Sequence, residues 1–195
     1  LCGRNFEYFS EDPLLNGQIA ASLVNGIQSQ GVAACLKHFA VNNQELGRMY
    51  MDAIVDDRAL REIYLRGFEI AVRTAKPWTV MCAYNRLNGV YCSEHDWLLN
   101  SVLREEWGFE GSVMTDWGAA NDRPLGVKAG LDLEMPGSGG VNDALVVQAV
   151  ANGDLDEADL DRAIARNIAL SLSSLNRQKP ATPADPDEQH RLARK

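Results

Sequence analysis

Four polar stretches sit at the ends of short apolar runs: Lys37-His38, Tyr84-Asn85, Asp116-Trp117, and Asp132 with Glu134. One such residue could simply satisfy a neighbouring loop. Four in succession point instead to a shared site. Asp116 beside Trp117 joins a carboxylate to a large flat apolar surface, a pairing that suits a sugar ring with its apolar face and its hydroxyls. Lys37, His38, Arg4 and Arg48 can donate hydrogen bonds to hydroxyls. Cations near Asp116 would keep it ionised, the state a nucleophile needs. Retaining glycoside hydrolysis would also require a protonated carboxyl about 5 Å away. Three other chemistries fit the same residues. Lys37 could form a Schiff base in an aldolase or lyase. Asp116, Asp132 and Glu134 could offer oxygen ligands to a metal. The site could also bind a sugar without reacting.

The elements that must position these residues follow from the patterning. Asp12-Pro13 reads as a helix N-cap and first turn, followed by Leu14, Leu15, Ile19, Leu23, Val24 and Ile27 at helical spacing. Val32 to Leu36 is a continuous apolar run expected to form a buried strand ending at Lys37-His38. Asp56 or Asp57 caps an expected helix to about Ala75, which Pro77 breaks. The unit then repeats: strands at Trp78–Cys82 and Gly111–Thr115, a helix from Asp96 to Trp107, and a short helix from Arg123 to Ala129. A fourth strand is expected at Leu131–Met135, then helices at Val141–Ala151 and Glu157–Leu175.

Strands alternating with helices predict an α/β fold with a parallel sheet. About four βα units is half of a (β/α)8 barrel, which takes eight units and typically about 250 residues. The 195-residue chain therefore reads as an incomplete TIM-like barrel over 1–176, with a linker-like stretch holding Pro180, Pro183 and Pro186 over 177–195. The first residue is Leu1, and no basic segment leads into an apolar one, so the chain reads as a piece of a longer protein.

Composition narrows the possible partners. With 19 Lys+Arg against 27 Asp+Glu the net charge is −8, which argues against a nucleic-acid binder. No apolar run reaches the roughly 18 residues of a membrane helix. Cys2, Cys35, Cys82 and Cys92 show no CxxC spacing, and Cys35 and Cys82 read as small buried hydrophobes. The acidic run from Asp154 to Asp159 reads as a helix start that complements the macrodipole. Trp78, Trp97 and Trp107 read as packing residues.

Taken together, the motifs resemble glycoside hydrolase family 3, in particular its bacterial β-glucosidases. They are Gly3-Arg4-Asn5-Phe6-Glu7 with Phe9-Ser10-Glu11-Asp12-Pro13, Lys37-His38-Phe39 with Asn43-Gln44-Glu45, Met81-Cys82-Ala83-Tyr84-Asn85, Met114-Thr115-Asp116-Trp117-Gly118, and Leu131 to Pro136. The resemblance runs from Gly3 to about Leu175. It implies a TIM-like first domain followed by an α/β sandwich domain that is absent from this chain. It also implies Asp116 as nucleophile, a glucosyl subsite made by Arg4, Lys37, His38, Arg48, Met81, Tyr84 and Trp117, and no metal or organic cofactor. The implied substrate is a β-glucoside or oligosaccharide, hydrolysed with retention.

Two departures from the family pattern bear on activity. A subsite Asp of the family would precede Leu1, and the acid/base of these β-glucosidases would lie beyond Lys195. Glu7, Glu45, Glu94 and Glu134 match no acid/base motif. The separate chain is therefore expected to be weak or inactive, since general acid catalysis contributes about 10²–10⁴-fold. Ala40-Val41-Asn42-Asn43 stands where the family's N-acetylglucosaminidases carry a Pro-Gly-His run, which excludes that branch. β-Xylosidase and arabinosidase activities stay open on these residues.

Overall fold

The computed structural model describes residues 3–177 and 185–194. Helix α1 (Pro13–Gln28) begins where Asp12 accepts from the Leu15 amide at 2.8 Å, with Pro13 in the first turn. Strand β1 (Cys35–Phe39) and the short β2 (Asp52–Ala53) follow. Asp56 caps α2 (Asp57–Ala59), which runs through a π-helical turn (Leu60–Tyr64) into α3 (Arg66–Ala75). Then come β3 (Thr79–Cys82) and the hairpin of β4 (Arg86–Leu87) and β5 (Val90–Tyr91). A π-helical segment (Trp97–Glu106) leads to β6 (Ser112–Met114). The remaining helices are α4 (Arg123–Lys128), α5 (Val141–Asn152), α6 (Glu157–Leu175) and α7 (Pro186–Ala193).

Strands β1, β3 and β6 form a parallel sheet in that order, with Cys35 opposite Thr79 and Thr79 opposite Ser112. Leu36, Val80 and Val113 align one step on and pack with the core of helical side chains. Parallel strands covered by crossover helices are the half-barrel expected from the sequence. A second small sheet, β2-β4-β5, lies beside it.

Three expectations need correction. Strand β1 starts at Cys35 rather than Val32, because the ladder to β3 begins at Thr79; Lys37 and His38 therefore sit inside the strand. The segment Leu131–Met135 makes only one bridge, Met114 to Leu133. There the Asp132 carboxylate and the Thr115 hydroxyl take up backbone groups in place of a regular ladder. Cys35 is exposed, not buried, at the start of the outer strand β1; its sulfur is 4.0 Å from that of Met114. Cys82 is buried as expected, and burial pushes its thiol well up. Cys92 is buried too, pushed up to about 12 for the same reason. Cys2 lies outside the described residues.

Helix α1 buries its small residues, Gly17, Ala20 and Ala21, while Leu14, Leu15, Ile19 and Leu23 stay exposed. Close approach to α3 explains the choice: a Cβ on Gly17 would meet the Gly67 carbonyl at 2.9 Å. At the start of β6, α6 closes the sheet, with Ser112 Oγ donating to Asn167 Oδ1 at 2.7 Å. The stretch expected as a linker contains α7, which has no buried residue.

Candidate active site

The carboxyl ends of β1, β3 and β6 bring together most of the residues singled out from the sequence. Asp116 follows β6, and its Oδ1 accepts from the Trp117 amide at 2.7 Å. Its Oδ2 has no hydrogen-bond partner and lies 3.5 Å from His38 Nε2. His38 is buried, and the other face of its ring meets the Tyr8 hydroxyl at Nδ1, 3.0 Å away. Burial pulls the His38 pKa below its ordinary value; the charge of Asp116 works against that, and Lys37 and Arg4 reinforce it.

Two carboxylates hold the cations. Lys37 Nζ is 3.3 Å from Glu7 Oε2, and Arg4 Nε donates to Glu7 Oε1 at 3.1 Å. Burial acts to raise the Glu7 carboxyl, but the hydrogen bonds from Arg4 and the charges of Lys37 and Arg4 outweigh it and hold the group low. Arg48 donates to Glu45 Oε2 at 2.7 Å, and its guanidinium lies 4.7 Å from the centre of the Tyr84 ring. The Tyr84 hydroxyl donates to the Trp117 carbonyl at 2.9 Å. Burial raises the Tyr84 pKa, and the charge of Asp116 adds to the rise. Met81 pairs in register with Met114, two residues before Asp116. Trp117 is 62% exposed beside the carboxylate.

Asp132 does not join this group. Its side chain is fully buried, with Oδ2 accepting from Arg104 and the Val113 amide at 2.7 Å each, and Oδ1 accepting from Arg166 at 3.0 Å. Glu134 accepts from Asn142 at 2.6 Å and lies 4.0 Å from Arg123. Asp132 is a structural carboxylate that ties β6 to α6, and the expectation that it belongs to the strand-end site is corrected here. Among the described residues no group of three or more His, Cys, Asp or Glu side chains is arranged to hold a metal.

Sequence reasoning missed Tyr8 and the roles of Glu7 and Glu45 as anchors for cations. The (i, i+3) spacing of Arg4 to Glu7 and of Glu45 to Arg48 was an available signal for the anchors. A cleft of about 570 Å³ lies between Phe9, Asn16, Tyr64 and Phe68 and shares Tyr8 and His38 with the residues above. Asp116, with His38 Nε2 3.5 Å away, lies outside it, so side-chain chemistry rather than volume marks the candidate site.

Comparison with known proteins identifies the family of the chain. The model of the glycosyl hydrolase family 3 N-terminal domain matches residues 2–170. The chain is 58% identical over 194 residues to thermostable β-glucosidase B of Acetivibrio thermocellus, covering 100% of this chain and 26% of that protein. It is 56% identical over 170 residues to an exo-α-(1→6)-L-arabinopyranosidase of Bifidobacterium breve, covering 87% and 22%. The structure of β-glucosidase 3B from Thermotoga neapolitana in complex with α-D-glucose superposes with a TM-score of 0.91 at 50% identity, covering 99% of this chain and 28% of that one. The chain thus spans about a quarter of the length of these relatives. It belongs to glycosyl hydrolase family 3, within the family's N-terminal domain.

Proposed function

We propose that this chain carries the nucleophile and most of the glucosyl subsite of a retaining β-glucosidase, with Asp116 as the nucleophile. The observation that supports it best is the state of Asp116: Oδ1 is fixed by a backbone N–H, while Oδ2 is shielded and carries no hydrogen bond. A carboxylate oriented by one oxygen and free at the other is suited to attack at an anomeric carbon. In the first step Oδ2 bonds to that carbon as the bond to the aglycone oxygen breaks, and the departing oxygen takes a proton from the acid. In the second, water deprotonated by the same group attacks the glycosyl-Asp116 ester, and Asp116 leaves as carboxylate.

The acid/base comes from outside this chain. Each glutamate considered for that role is engaged: Glu7 with Arg4 and Lys37, Glu45 with Arg48 and Asn42, Glu94 with the Asp122 amide, Glu134 with Asn142. An α/β sandwich domain following this one is the source we propose. Around the sugar, Arg4, Lys37, His38, Arg48 and Tyr84 supply polar contacts, and Met81 and Trp117 apolar ones. No metal or organic cofactor takes part in this scheme.

An α-L-arabinopyranosidase is the second reading, favoured by the 56% identity to an enzyme of that name. The two separate on labelling by 2-fluoro glycosides with dinitrophenyl leaving groups, which scarcely need an acid. Faster covalent labelling by the β-glucoside supports the first reading. Faster labelling by the α-L-arabinopyranoside replaces it with the second, and labelling by neither in a cooperatively melting sample rejects both.

A further inference from the structure

Tyr8 stands outside the subsite residues, yet it belongs to a continuous polar chain. Its hydroxyl is 3.0 Å from His38 Nδ1, and His38 Nε2 is 3.5 Å from Asp116 Oδ2. We propose that Tyr8 is a positioning residue that locks His38 as the neutral Nε2–H tautomer, so that the ring offers a donor to the Asp116 side of the site. The functional part of this inference rests on reading Asp116 as the nucleophile.

The argument is one of proton counting. A neutral imidazole has one N–H and one lone pair. A proton on Nδ1 would leave the Nε2 lone pair facing the carboxylate oxygen of Asp116, an electrostatic repulsion. The Tyr8 hydroxyl can donate to Nδ1, and of the two neutral tautomers only Nε2–H accepts that bond while turning a donor towards Asp116. A doubly protonated ring is disfavoured as well. Lys37 within β1 and Arg4 from the amino-terminal segment oppose it, while Asp116 after β6 and Glu7 favour it. Burial tips the balance towards neutrality. The consequence for chemistry is direct. A neutral ring leaves Asp116 Oδ2 without the charge-assisted hydrogen bond that an imidazolium would impose, and such a bond would blunt a nucleophile.

The test uses the chain with ¹⁵N-labelled histidine and long-range ¹H–¹⁵N correlation, which reports the protonation of each ring nitrogen. His38 is told apart from His95 and His190 by the signal that vanishes in His38→Gln. We expect an Nε2–H ring with unprotonated Nδ1 at neutral pH. Tyr8→Phe should shift the tautomer ratio about fivefold towards Nδ1–H, the equivalent of one net hydrogen bond. It should also raise the titration midpoint of His38, because the lost bond favoured the neutral form. Phe9→Leu, one residue away, should change neither. An Nδ1–H ring or an even mixture in the unsubstituted chain overturns the proposal, as does an unchanged ratio in folded Tyr8→Phe. If Tyr8→Phe fails to fold, the tautomer of the unsubstituted chain decides alone. Failure of covalent labelling with the Nε2–H tautomer intact would count against the nucleophile and leave the Tyr8–His38 lock standing.

Discussion

Asp132→Asn should destabilise the chain by about 3 kcal/mol. The carboxylate is fully buried and accepts from two guanidinium groups and one backbone amide. An Asn side chain keeps one oxygen, which can stay on Arg104 and the Val113 amide, but its NH₂ then faces the Arg166 donor. The bond to Arg166 is lost, worth about 1.5–3 kcal/mol for a charged partner and less here because Arg166 is partly exposed. Arg104, nearly buried, loses its counter-charge at a further cost of about the same size. Removing one partner of a buried ion pair typically costs about 3–5 kcal/mol, which brackets the sum. With a urea slope of about 2–3 kcal/mol/M, the midpoint should fall by about 1–1.5 M. The exposed pair Arg58–Glu62 provides the contrast: Glu62→Gln should stay within about 0.5 kcal/mol. A fall of less than about 0.3 M for Asp132→Asn would refute the claim that this carboxylate holds β6 against α6.

Other substitutions separate packing from function. Gly111→Ala should cost about 3 kcal/mol or more by urea denaturation, because the new Cβ would sit 2.2 Å from the Trp78 carbonyl. Trp117→Ala should leave the melting midpoint nearly unchanged, since the ring is exposed, while slowing labelling by the fluoro-glucoside at least tenfold through the lost apolar platform. For Glu7 the dependence is on pH. Its folded pKa is depressed below 4.5, so its ion pairs contribute stability that is fully present above that value. The contribution is lost as pH falls through the lower folded value, so the difference in urea midpoint between Glu7→Gln and the unsubstituted chain should be constant at neutral pH and close on acidification.

What was legible in the sequence followed from local signals. Helix α6 matches its expected bounds because Asp156 caps it and the apolar period runs on to Leu175. Asp116, Trp117, Tyr84 and the Lys37-His38 pair were legible because strand ends in a parallel sheet converge at one edge. Asp132 looked equally good from sequence; nothing local says that its partners are arginines 28 residues before it and 34 residues after it. Strands β2, β4 and β5 have two residues each, too few for an alternating pattern to register. Tyr8 carried no signal at all, since a lone tyrosine in a loop finds its histidine only through the fold.

The most direct test of the central claim is the site of covalent attachment. The chain would be incubated with the dinitrophenyl fluoro-glucoside, digested, and its peptides mapped by mass, with Asp116→Asn treated in parallel. A single glycosyl adduct on Asp116 that disappears in Asp116→Asn is the predicted result. An adduct on Glu7, Glu45 or any other carboxylate, or one that persists in Asp116→Asn, would contradict it.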